Sequence, residues 1–328
     1  FSLDDYLAHP ESRMQGICVV HKGQVVYEKY PTMRREQAHL WASCAKPLAA
    51  LALELLIEDG KLDDQQTFGH YLPFFRGSIW EDVRIIDAMD MTPGIDCEEN
   101  DDTRADHDSI AIRAFLAEFG TPYKGQVELL GDVLRSAGRQ REAGVQYEYS
   151  SPTTQMLVML AEEVAGQDWS QFFESRVWRH MKSDAPLQMH LSPDGVALSH
   201  GIASSTLRDM ARFGLLYTPS WAAASDQKVV SDATLARIRG GLRSRDWFYN
   251  GHDGKVFSER FDDTSILGAA RQWDCIWEDG DIYKGGFMGQ ALYVSPDRDL
   301  VISFFSTRQD MSSVRYLRPI ATSGLFDG

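Results

Sequence analysis

The sequence predicts an α+β fold in which both ends of the chain meet in one mainly antiparallel sheet, flanked by helices, with an all-helical segment inserted between them. Three observations carry this expectation. Runs rich in β-branched and aromatic residues stand near the start (Ile17–Val20, Val25–Tyr27) and near the end (Ile282–Tyr283, Gln290–Val294, Leu300–Phe305). The middle of the chain instead carries apolar stretches of helical length. With 328 residues, 43% hydrophobic and 25% charged, the chain is long enough for one large domain or two closely packed ones. The expected division is a sheet domain of residues 1–62 and 195–328 and a helical subdomain of residues 63–194.

Residues 15–30 read as a hairpin, because His21-Lys22-Gly23-Gln24 separates two strand-like runs. A helix is expected from near Ser43, with Pro47 in its first turn and Gly60 as a left-handed stop. Nearly every position from Leu48 to Ile57 is apolar, so this helix should be buried. Val83–Met91 reads as an amphipathic helix ending at Thr92-Pro93-Gly94, and residues 109–119 as a helix capped by Ser109. Thr153–Val164 is a long helix closed by Ala165-Gly166, and helices continue through Asp168–Met181. Residues 200–217 begin as a small-residue loop and enter a helix through a Ser/Thr-then-Asp cap. The strand period sets in from about residue 264.

Composition excludes several functions. The formal net charge of −15, with pI near 5, disfavours nucleic acid and anionic membranes as partners. No apolar run is long enough to span a membrane as a helix. Cys18, Cys44, Cys97 and Cys275 lack zinc-ligand or disulfide-framework spacing, which favours a cytoplasmic location. Phe1 in place of an initiator methionine is compatible with a removed leader. The acidic run Asp96–Asp108 lacks the alternating carboxylates of a calcium loop and reads as a solvated surface loop. No metal site and no cofactor motif is evident.

The chemistry-bearing features are short. Ser43 and Lys46 lie three residues apart at the open end of the buried helix and share one face. Serine is a poor nucleophile until a base takes its proton, and a lysine of lowered pKa can be that base. A helix N-terminus also aims backbone N–H groups at a developing oxyanion. Alone, this four-residue pattern equally describes an ordinary helix start. It is followed in order by Tyr149-Ser150-Ser151 and by Lys284-Gly285-Gly286 leading into a strand.

That order and spacing resemble the serine β-lactamase and penicillin-binding-protein family, and more narrowly its class C and esterase-like branch, which includes carboxylesterases and 6-aminohexanoate-dimer hydrolase. His21–Tyr30 resembles the family's first hairpin, Ile57–Asp64 the loop after its nucleophile helix, and Met91-Thr92-Pro93-Gly94 its His/Met-Thr-Ser-Gly turn. Gly285–Gln290 is similar to the Gly-x-x-Gly-Gln form of its third box. The resemblance spans almost the whole chain and implies the β-lactamase/transpeptidase-like version of the α+β fold.

Carried over, the resemblance implies Ser43 as the acylated nucleophile, Lys46 as its activator, and Tyr149 as general base and then acid, its phenol favoured as an anion by a lysine charge. The backbone N–H groups of Ser43 and Phe287 would form the oxyanion hole. Ser151, Lys284, Gly286, Gln290 and Trp41 would contact substrate, with pocket walls from residues 93–145 and 240–275. Ser151 replaces the family's asparagine, and Gly285 replaces a hydroxyl residue that helps bind a substrate carboxylate. Both departures favour a small ester or amide over a β-lactam. The implied function is a serine hydrolase working through an acyl-enzyme without a cofactor. The alternatives are a β-lactamase or D-amino-acid peptidase, and a β-lactam-sensing or non-catalytic binding domain.

Overall fold

The computed structural model describes residues 2–327. Its frame is a seven-stranded antiparallel sheet in the order β2-β1-β10-β9-β8-β7-β6. The strands are β1 (Met14–His21), β2 (Gln24–Lys29), β6 (Gly268–Ala270), β7 (Trp273–Ile276), β8 (Ile282–Gly286), β9 (Gln290–Ser295) and β10 (Leu300–Ser306). The chain ends meet at the β1–β10 pair, where Val19 faces Ile302 and Cys18 faces Ser303. The predicted hairpin and three C-terminal strands are present. Strands β6 and β7 lie where the strand period is expected to set in, and β7 is buried on both faces.

A second, three-stranded sheet runs β3 (His39–Leu40), β5 (Ala203–Ser205), β4 (Gln188–Met189). Its strands are too short to leave a periodic signal, and residues 203–205 fall where the sequence reads as loop. Val83–Met91 shortens to a helix of Ile85–Met89. Phe68 N–H binds the Val83 carbonyl at 3.0 Å and Thr67 bridges Arg84, which holds that stretch extended.

The helix expected from Ser43 forms in two parts, a 3-10 turn at Ala42–Ala45 and an α-helix at Lys46–Glu58. Gly60 follows with φ of 69°, the left-handed stop expected of it. Leu48, Leu53 and Leu56 are fully buried, each side chain contributing about 1.5–3 kcal/mol. The one acid in this apolar run, Glu54, is buried too and is held by Arg271 at 2.5 Å and Arg237 at 2.6 Å. The helices Ile110–Glu118, Ser151–Ala165 and Leu207–Leu215 carry the side-chain caps Ser109, Ser150 and Thr206. The last lies flat on the sheet, since a Cβ on Gly214 would come within 2.7 Å of Val301. No helix among the described residues is long and apolar enough to cross a membrane.

Candidate active site

Three segments converge at the N-terminal end of the buried helix. The first is the 3-10 turn carrying Ser43. Trp41 N–H binds the Ala203 carbonyl at 2.8 Å, and Ala42 then adopts a left-handed φ of 47° that swings Ser43 to the partly open edge of the core. The second is Tyr149–Ser151, fixed by the start of its helix, where the Ser150 side chain accepts from the Thr153 amide. The third is the end of β8. A Cβ on Gly286 would lie 2.7 Å from the Trp41 carbonyl oxygen, so only glycine lets β8 close onto the serine turn.

Lys46 is fully buried beneath these segments. Its Nζ lies 3.2 Å from Ser43 Oγ, 2.8 Å from Ser151 Oγ and 2.9 Å from the His200 carbonyl oxygen. Burial lowers its pKa from 10.5 to about 7, with the charge of Glu99 opposing and that of Lys284 assisting. The amine is therefore about half neutral at pH 7. One of the three contacts then lacks a donated proton, and at the longest of them the Ser43 hydroxyl can donate to the nitrogen lone pair.

Tyr149 receives a hydrogen bond of 3.2 Å from Lys284 Nζ, and Lys46 Nζ lies 5.0 Å from its ring centre. Its phenol is nevertheless raised well above 10, first by burial and then by the charges of Asp274 and Glu99. This differs from the sequence-based expectation of a phenol favoured as an anion. The reason is burial first and then Asp274, which pairs with Lys284 at 2.5 Å while both side chains are buried. Its other oxygen accepts from the Gly285 amide at 2.9 Å.

The remaining expected contacts are distributed differently. The Ser151 hydroxyl is engaged by Lys46, and the Ser151 backbone N–H by Glu99. Gln290 donates to the carbonyls of Phe287 and Ser306 and accepts from Ser306 N–H, so its amide is wholly occupied in bracing the turn after β8. Trp41 is buried, with its indole N–H on Ser205 Oγ at 2.9 Å. Phe287 stands at the mouth with 70% of its surface exposed. Ser43, Lys46, Tyr149, Ser151, Lys284 and Gly286 thus come together, whereas the Gln290 and Trp41 side chains point into structural contacts.

Two acids of the cluster escaped the sequence reading. Asp274 sits on β7 opposite Lys284, given that Cys275 faces Tyr283. A lone acid within the apolar run Trp273–Trp277 was the available signal. Glu99 belongs to the acidic run read as a solvated loop. Asp96 is exposed there, but Cys97 and Glu98 are buried and Glu99 turns inward.

Comparison with known proteins identifies the family and the fold. The sequence matches the Beta-lactamase family over residues 8–323. It is 24% identical over 307 residues to 6-aminohexanoate-dimer hydrolase of Paenarthrobacter ureafaciens, covering 92% of this chain and 75% of that one. A solved Bacillus anthracis structure, assigned as a 6-aminohexanoate-dimer hydrolase, superposes with a TM-score of 0.78 at 21% identity, covering 99% of this chain and 82% of that one. EstCE1, a hydrolase with promiscuous acyltransferase activity, superposes at 0.67 and 15% identity, covering 96% and 98% of the two chains. The chain belongs to the beta-lactamase family.

Proposed function

We propose that this protein is a serine hydrolase that cleaves small esters or amides through an acyl-enzyme on Ser43. The observation that carries the proposal is the fully buried Lys46, 3.2 Å from Ser43 Oγ and lowered to about 7. A base with its pKa near the working pH combines the right protonation state with adequate proton affinity.

In this reading Ser43 Oγ attacks the carbonyl carbon and its proton passes to the neutral Lys46 amine. The carbonyl electron pair moves onto oxygen, where the N–H groups of Ser43 and Phe287 receive it. Collapse breaks the bond to the leaving group, which takes the Tyr149 phenolic proton, and the Lys46 ammonium restores that proton. Water then releases the acyl group by the reverse route. Tyr149 serves as acid here, because its raised phenol suits donation, and Lys46 serves as base. The site would lie between the sheet domain (1–62 and 195–328) and the helical subdomain (63–194).

The substrate class follows from Lys284. Its ammonium is held by Asp274 and Tyr149 and the Gly285 amide by Asp274, which leaves little of either to hold a substrate carboxylate. Position 285 has no hydroxyl to replace them. This favours neutral esters and amides over β-lactams and C-terminal peptides. The test is turnover of short-chain p-nitrophenyl esters beside a chromogenic cephalosporin, for the native chain and Ser43→Ala. Ester turnover lost on substitution, with little cephalosporin cleavage, is expected. Fast cephalosporin turnover would overturn the substrate class, and activity surviving in Ser43→Ala would overturn the mechanism.

A further inference from the structure

Glu99 lies in a loop with no regular secondary structure, yet it is tied at two points to the Tyr149–Ser151 segment. Its own N–H binds the Tyr149 carbonyl at 2.7 Å, and its Oε1 accepts from the Ser151 N–H. Ser151 Oγ in turn receives a hydrogen bond from Lys46 Nζ at 2.8 Å. A continuous chain therefore runs from the Ser43 hydroxyl through Lys46 and Ser151 to a carboxylate.

We propose that Glu99 is a positioning residue for acylation, holding Ser151 and Lys46 in line with Ser43 and supplying the negative charge that stabilises the ammonium formed when Ser43 loses its proton. This rests on the Ser43–Lys46 reading given above and deepens it. In the step itself the proton moves from Ser43 Oγ to Lys46 Nζ as the Oγ–carbon bond forms, and Glu99 stays ionised throughout. Without a nearby anion, creating a buried ammonium is opposed by desolvation. Burial pushes the Glu99 carboxyl up, but the Lys46 charge and hydrogen bonding by Ser151 outweigh it and leave it below its ordinary value.

The other charges around the chain are placed on different elements. Lys284 on β8 and its partner Asp274 on β7 act on Lys46 with opposite signs. Glu118, on the Ile110–Glu118 helix, lies 3.0 Å from His200 Nε2 behind Lys46 and acts with the same sign as Glu99. On the solvent side Arg104 approaches Glu99 at 3.6 Å and is itself 55% exposed.

Two variants of the full chain move the system in opposite directions. Glu99→Gln keeps the shape and removes the charge, so Lys46 becomes a weaker base. The acid limb of the kcat/KM profile for a p-nitrophenyl ester should fall by at least half a pH unit, with the plateau rate about 10-fold lower or more. Arg104→Gln removes the competing cation from an exposed position and should raise the acid limb. Glu99→Asp should restore part of the native limb. A Glu99→Gln variant that is slower with its acid limb unmoved would overturn the proposal and leave only a packing role. An Arg104→Gln limb that stays put or falls would overturn it as well, even if the Glu99→Gln chain does not fold. The native chain and Ser43→Ala are assayed together with these, and failure of that pair condemns the serine-hydrolase reading itself, separately from Glu99.

Discussion

Lys46 is a base held at a cost to the fold, and replacing it should change stability in a pH-dependent way. In the unfolded chain Lys46 titrates near 10.5, and in the folded protein near 7. Because the folded value is depressed, its penalty is absent above the unfolded value, grows as pH falls from 10.5 to about 7, and is constant below that. At 1.36 kcal/mol per pH unit the penalty is about 4 kcal/mol at pH 7 and about 1.4 kcal/mol at pH 9.5. Lys46→Met removes it, while leaving Ser151 Oγ and the His200 carbonyl without their lysine donor, a loss of about 1–3 kcal/mol for each group left unsatisfied. That loss does not vary with pH. The stability of Lys46→Met relative to the native chain should therefore decline by about 3 kcal/mol between pH 7 and pH 9.5. Denaturant unfolding of both proteins at these two pH values measures it. A difference that stays flat across this interval would show that Lys46 is not depressed, and the assignment of the base would go with it.

The Lys284–Asp274 pair makes a second prediction. Asp274→Ala leaves a fully buried ammonium without its carboxylate and should destabilise the fold by about 3–5 kcal/mol, read by denaturant unfolding. Stability within 1 kcal/mol of native would mean that the pair is not buried in solution. At the end of β8, Gly286→Ala places a methyl group 2.7 Å from the Trp41 carbonyl oxygen and 2.9 Å from Gln290 Cβ. The strand must then retreat from the serine turn, and displacing an oxyanion donor typically costs about 100-fold or more in kcat. Ester hydrolysis by this variant at native rates would remove the Phe287 amide from the site.

Elements with a dense local signal were legible without a structure. The apolar run Leu48–Ile57 could only be a buried helix, and the structure buries it with Glu54 paired to two arginines. The hairpin turn at Lys22-Gly23, the Ser109 cap and the stop at Gly166 are each specified by one or two residues whose backbone preferences leave little choice. The two- and three-residue strands β3, β4 and β5 were invisible, because a pair of residues has no period and these strands exist only by pairing with one another. Val83 lies outside the helix because a hydrogen bond from Phe68 N–H holds it extended, a contact distant in the chain that the local pattern does not show.

The same division runs through the site. The sequence by itself determined that Ser43 and Lys46 share one helical face, because three residues make nearly one turn and that spacing is local. For Gly286 the sequence implied only a substrate contact, and its close approach to the Trp41 carbonyl comes from the packed fold. Tertiary structure alone decided what surrounds them: that Lys46 is desolvated, that Asp274 occupies Lys284, and that Glu99 turns inward from an acidic run whose first residue faces solvent. The physical reason is that a pKa and an ion pair depend on burial and on partners distant in the chain. Ser151 and Lys46 are 105 residues apart, and their 2.8 Å contact is a property of the packed fold.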